Sequence, residues 1–285
     1  MVDKSSTAPG VCAGMKENNA AANFRIRKHY MDCVDNAGNG CIMYHAHVRW
    51  GRLAFTYVGD LCFTSHSHPG TRSKLAGVPP PDFETGTRNV LSWNCAPLED
   101  SGSWTSKRAV ISERLLSSDE GEVNWTCLQP LAHAEVNCAG KTRLNGTGYS
   151  ECLDLTIKPW RLPIEQLRWG RFLAENESIV WIEWRGPHPL KLVYRNGRQV
   201  AGVQIDEQSV RAASEGWELH FTETLTLRDG ALLSTVFDKI PLIKQSFPMK
   251  MLNARESKWR SRAELRIDSA PPVSGWSIHE LVQWR

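Results

Sequence analysis

Three groupings of side chains have the residue types and spacing to do chemistry. Two are His-x-His pairs, His45-x-His47 and His66-x-His68. On a strand, residues i and i+2 share a face, so His45 and His47 could grip one metal ion, as a cupin-type metal barrel begins. The Glu such a site needs a few residues on is missing, because Val48, Arg49, Trp50, Gly51 and Arg52 follow His47. His66 and His68 stand at the edge of a Pro-rich stretch. Both pairs read as hydrogen-bonded pocket or surface histidines, with His45 and His47 as substrate contacts. No metal and no cofactor is expected.

The third grouping is Tyr149 and Glu151, within GTGYSECLDLTIKPWRLPIEQLRWGRF (146–172). Two apart on a strand, they project to one side, with a Trp-rich stretch around Asn124–Trp125 upstream. A carboxylic acid kept protonated among aromatic walls can donate to a carbon–carbon double bond. The same pair would equally suit a surface Glu beside a Tyr that anchors a barrel. Other catalytic signatures are absent: there is no GxSxG elbow, no P-loop and no GxGxxG opening a helix. The GTG at 146–148 precedes a strand, so no helix dipole awaits a phosphate.

The elements that must position these groups are strands. Runs at 24–34, 41–50, 53–65, 87–95, 107–116, 122–129, 131–138 and 147–157 alternate or are apolar throughout, and similar runs continue to 275–284. Asn196–Gly197 and Asp229–Gly230 are hairpin signals, and only 206–215 suits a short helix. Residues 66–86 are rich in Pro and Gly and read as a loop, either a lid or a surface excursion. The KPWRLP segment (158–163) reads as a hinge, and the tetrapeptide RWGR recurs at Arg49–Arg52 and Arg168–Arg171, 119 residues apart. That spacing suits one barrel per half. The expectation is an all-β chain of two lipocalin-like antiparallel barrels packed together: a flexible tail over 1–22, one barrel over 23–157 and another over 164–285.

Composition narrows the partners. The 34 basic and 31 acidic residues nearly balance, which excludes nucleic acid or membrane held mainly by charge. No apolar run is long enough to span a bilayer, and the N-terminus lacks an apolar signal core, so a soluble, cytoplasmic protein is expected. Transient contact with a membrane surface and the oligomeric state stay open. Trp supplies 12 of the aromatic residues, against 8 Phe and 5 Tyr, which suits a thick β core and equally the walls around a large unsaturated ligand. The eight cysteines, at 12, 33, 41, 62, 95, 127, 138 and 152, form no CxxC pair or zinc-ribbon spacing and read as free, buried thiols.

The order GxGYxE, then Pro163, then Trp169–Gly170–Arg171 resembles the lipocalin-like family of carotenoid 1,2-hydratase (hydroxyneurosporene synthase) and the AttH-like proteins. The N-terminal RKHYMDCVDNAG is similar to the family's opening strand, with Tyr30 and Asp32 matching and His29 where a Trp is usual. The resemblance implies two barrels with a hydrophobic cavity, Glu151, Tyr149 and Trp125 as catalytic residues, and Trp169, Arg171 and Tyr30 toward the substrate. The chain departs from the pattern where Glu151 replaces Asp, Val123 replaces a His and Cys152 replaces a His. Two functions fit. One is a cofactor-independent enzyme that hydrates, cyclises or isomerises a large apolar isoprenoid or polyketide-type substrate at a C=C bond. The other is a non-catalytic carrier of such a lipid, which a salt bridge from Arg168 or Arg171 to Glu151 would favour.

Overall fold

A computed structural model of the chain describes residues 23–65, 67, 69–76, 89–140, 142–231, 253–268 and 270–284. His66, His68, Cys12, the 1–22 tail, residues 77–86 of the expected lid and the strand expected over 232–237 lie outside them.

The described chain is almost entirely antiparallel β. Nine strands build the first sheet: β1 (Phe24–Val34), β2 (Gly40–Trp50), β3 (Leu53–Phe63), β4 (Gly70–Ala76), β5 (Val90–Cys95), β6 (Asp100–Ser106), β7 (Ile111–Ser118), β8 (Gly121–Cys138) and β9 (Thr142–Leu155). Their order is β4-β3-β2-β1-β9-β8-β6-β5, with β7 also on β8. A second sheet takes β10 (Gln166–Leu173), β11 (Ser178–Arg185), β12 (Leu190–Arg195), β13 (Arg198–Gln199), β14 (Gln204–Ile205), β15 (Ser209–Ala212), β16 (Trp217–Ala231), β17 (Arg255–Ile267) and β18 (Val273–Gln283). It runs β13-β12-β11-β10-β18-β17-β16-β15-β14, so β1 between β2 and β9 has its counterpart in β10 between β11 and β18. Each sheet curls into a lipocalin-like half-barrel.

Alternation sends each strand's side chains to two different cores. In β1, Met31 and Cys33 point into the first sheet's own interior with Met43, Trp93 and Trp104, while Tyr30 and Val34 face the second sheet. In β10, Phe172 joins Trp181 and Leu265 inside the second sheet, while Trp169 and Leu173 face the first. Strands buried on both faces read as near-continuous apolar runs. The two sheets therefore share a third core between them.

Several local expectations are corrected. The stretch over 66–86 is expected to leave the sheet, yet Gly70–Ala76 forms β4 and pairs along β3, since the prolines at 69 and 79–81 fall on either side of that run and none within it. The QP pair at 129–130 does not end a strand. Pro130 lacks an N–H, so the register slips there and the bent β8 serves β7 with one half and β6 with the other. Residues 100–106, not among the expected strands, form β6. Residues 209–212 pair with β16 as a strand, and only Ala213–Glu215 turns, as a 3-10 segment, where a short helix was expected. Asn196–Gly197 does make the hairpin turn, with φ of 52° and 82°. Asp229–Gly230 does not, because both lie within β16, paired with Ser257 and Glu256. The two RWGR copies also occupy unlike places: Arg49–Arg52 closes β2 and enters a turn, whereas Arg168–Arg171 lies inside β10. The doubled topology is real, but the tetrapeptide does not mark it.

Candidate active site

A cavity of about 360 Å³ lies between the two sheets. That is within the range of small-molecule pockets. Its wall is mostly apolar, with Ile26, Val48, Leu153, Leu155, Ile182 and Val282 among the side chains, and the 3-10 turn Pro159–Arg161 that links the sheets places Pro159 against it. The cavity is thus made by the pairing of two half-barrels, rather than by the inside of either.

Glu151 stands in this wall on β9. One of its oxygens, Oε2, accepts three hydrogen bonds: from Trp125 Nε1 on β8 at 2.6 Å, from the Tyr149 hydroxyl at 2.7 Å, and from Trp169 Nε1 on β10 at 3.1 Å. Tyr149 reaches Glu151 because i and i+2 share a strand face, Trp125 comes from the adjacent strand, and Trp169 from the opposite sheet. Burial raises the carboxyl above its ordinary range, and the three donors and the Lys28 charge oppose that rise. With the lone pairs of Oε2 occupied, Oε1 is the oxygen left to carry a proton. The arrangement tolerates both states of the acid: burial favours the neutral form, and fixed N–H and O–H dipoles receive the anion once the proton has left.

A second polar group occupies the wall on the far sheet. Lys258 Nζ lies 2.6 Å from Glu280 and 3.3 Å from Glu256, and donates to the Tyr44 hydroxyl at 2.9 Å. Arg228 adds a 3.2 Å pair with Glu256. Although burial alone would lower it, Lys258 is held protonated by Glu280, Tyr44 and Glu256. Lys28, also in the wall, lies over the Tyr44 ring at 5.2 Å, and burial lowers its pKa. None of these charged groups was singled out in the sequence. The available signal was Lys28 inside a strand with the apolar Ile26 and Tyr30 two away on either side; Lys258, with Glu256 and Arg260 at those places, offered none.

The expected site residues fall into three places. Glu151, Tyr149, Trp125 and Trp169 meet through the hydrogen bonds above. Tyr30 and Arg171 come together elsewhere in the sheet-to-sheet core. There Arg171, fully buried, donates from Nε and Nη2 to the two oxygens of Asp32 at 3.1 and 2.8 Å and from Nη1 to the Trp276 carbonyl at 2.7 Å. The Tyr30 hydroxyl donates to the same Asp32 at 2.9 Å, and its ring packs on Trp169 at 5.0 Å. Arg171 is therefore a cross-sheet clamp, joined through Asp32 to the Tyr30 that packs on Trp169. Arg168 pairs with Glu207 at 3.8 Å, so neither arginine touches Glu151. His45 and His47 lie on the face of β2 opposite to Tyr44, Ala46 and Val48, which line the cavity. His45 packs near His29 at 6.4 Å and is lowered to about 4 by burial and then by His47, while His47 Nδ1 sits 3.1 Å from the Thr56 hydroxyl.

No family model matches the chain, and no curated protein does. Solved structures do. The chain is similar to CghA in complex with Sch210972, at 10% identity and a TM-score of 0.54, over 92% of this chain and 89% of that one. CghA alone gives 12% identity and a TM-score of 0.53 over the same shares. Kievitone hydratase from Nectria haematococca gives 10% identity and a TM-score of 0.50, over 90% of this chain and 88% of that one. At such identities the likeness is one of fold: this chain shares the two-sheet architecture of these proteins.

Proposed function

We propose that the chain is a cofactor-independent enzyme that protonates a C=C bond of a large apolar substrate held between the two sheets, leading to hydration, cyclisation or isomerisation. The observation that carries the proposal is a cavity-wall carboxyl with neutral donors on one oxygen and, among the described residues, no cationic side chain within ion-pair reach. Glu151 delivers the proton from Oε1, and the substrate's π pair forms the new C–H bond. The adjacent carbon becomes cationic. The indoles of Trp125 and Trp169 offer π density to that charge. In hydration, water adds to the cation and its second proton returns to Glu151. In cyclisation a second π bond attacks the cation and the new carbocation then loses a proton to the same carboxylate; in isomerisation the first cation loses a neighbouring proton to it directly. The acid is restored in every case, which is why no cofactor is required.

The polar cluster around Lys258 and Lys28 suits an oxygenated end of an otherwise apolar molecule, the pattern of an isoprenoid or polyketide. That a hydratase shares the fold supports the reaction class. The test is to incubate the protein with a panel of polyenes and oxygenated isoprenoids and to follow products by mass spectrometry. Hydration adds one water, and cyclisation or isomerisation changes retention at constant mass. Conversion that disappears in Glu151→Gln supports the proposal. A compound bound and returned unchanged by both proteins would make the chain a lipid carrier.

A further inference from the structure

A second cluster of reactive groups lies away from the cavity, at the end of the first sheet. Cys41 is the second residue of β2, Cys62 the last but one of β3, and Cys138 the last of β8. Cys41 and Cys62 are direct cross-strand partners, with their sulfurs 2.9 Å apart. The third sulfur arrives from across the half-barrel, and all three lie within 4.8 Å of one another. Sequence spacing concealed this group, because the three residues are 21 and 76 positions apart and are gathered only by sheet curvature.

We propose that Cys41, Cys62 and Cys138 form a binding site for a thiophilic d10 ion, zinc above all. The convergence of a third sulfur is what distinguishes such a site from a simple cross-strand disulfide pair, which would use two sulfurs and leave the third idle. A tetrahedral ion with Zn–S bonds of ~2.3 Å sets its sulfurs ~3.8 Å apart. Cys41 and Cys62 stand closer than that, at 2.9 Å, with all three sulfurs within 4.8 Å of one another, and all three ligands sit at strand ends, where the backbone can adjust. Cys62 is partly exposed while Cys41 and Cys138 are buried, which gives an ion one way in. Asp100 supplies nearby negative charge that acts on both Cys62 and Cys138. Its Oδ1 is used by Arg72 and the Ala139 amide, but its buried Oδ2 has no hydrogen-bond donor among the described residues.

The location gives such an ion a task. Arg72 on β4 already ties the two edges of the first sheet together, through Asp60 on β3 and through Asp100 and the Leu98 carbonyl next to β6. An ion held by β2, β3 and β8 would close the same seam a second time. Three sulfurs fill three of the four tetrahedral positions and leave the fourth to a water molecule, while the three strands they join still gain a common tie.

The experiment uses the full chain, reduced and freed of metal by a chelator. Zinc should bind with a stoichiometry of one and raise the melting temperature, and cadmium should give the ultraviolet sulfur-to-metal charge-transfer band of thiolate ligands. Cys62→Ser should weaken zinc binding by more than about tenfold and abolish the thermal shift, since losing a ligand exceeds the usual cost of losing a group behind one. Cys152→Ser, outside the cluster, should change neither. Absence of the cadmium band in the wild-type protein, or zinc binding equal in Cys62→Ser and wild type, would overturn the proposal. So would a Cys41–Cys62 disulfide that persists after reduction and blocks zinc.

Discussion

The two sheets present a glutamate to the same cavity from equivalent positions and treat it in opposite ways. Glu151 on β9 lies across from Tyr30 of β1, and Glu280 on β18 lies across from Trp169 of β10. Glu151 is met by an indole, a phenol and a second indole, all neutral. Glu280 is met by the Lys258 ammonium at 2.6 Å. A neutral donor set leaves an acid able to keep or release its proton. A buried ammonium ties its carboxylate partner into an ion pair and makes the group a strut. What separates a candidate catalyst from an anchor here is therefore the charge of the partners.

The largest effect expected from breaking this contrast is on conversion. Glu151→Gln retains shape and hydrogen bonding but removes the transferable proton, so turnover should fall by ~10²–10⁴-fold with little change in melting temperature. Retained turnover in a folded variant would dismiss Glu151 as the acid. Lys258→Met should act on stability instead. It leaves the buried Glu256 and the partly buried Glu280 without their shared cation, at a cost of about 3–5 kcal/mol read from denaturant unfolding. A loss below ~1 kcal/mol would mean that the far-sheet cluster is not a strut. Trp169→Phe removes one of the three donors to Oε2. The carboxylate then loses about 1 kcal/mol of support, so turnover should drop roughly fivefold. An unchanged pH profile in this variant would show that the indole does not tune the acid.

The smallest effect is a difference of sign with pH. Burial raises Glu151 above its unfolded value, so its contribution to stability is full at low pH and is lost as pH rises through the raised value. Despite its burial, Glu256 is held below the ordinary range by Lys258 and then Arg228, so its contribution is present above the unfolded value and lost as pH falls. The stability gap between wild type and Glu151→Gln should therefore shrink with rising pH, while the gap to Glu256→Gln should shrink with falling pH. Melting curves across the acid-to-neutral range test this, and gaps that move in the same direction would remove the distinction.

Much of this was legible in the order of residues. Alternating and doubly apolar runs announced strands, Asn196–Gly197 announced a hairpin, and Tyr149 and Glu151 are tied to one side of a strand by a period of two, whatever surrounds them. Pattern failed where pairing competes with local preference. Gly70–Ala76 joins β3 because that edge offers it partners, and Asp229–Gly230 stays inside β16 because β17 pairs with it on through Ala231.

The sequence by itself determined that the chain is all β and that an acid and a phenol share a strand face, because these depend on spacing along one chain. Only the tertiary structure decided what surrounds that acid. Trp169 reaches Glu151 from the opposite sheet, Arg171 turns away to Asp32, and Lys258 meets Glu280. Cys41, Cys62 and Cys138 likewise converge only when the first sheet curls. The physical reason is common to all four: hydrogen bonds, ion pairs and ligand geometries act over a few ångströms, and no period along the sequence specifies which distant strands come that close.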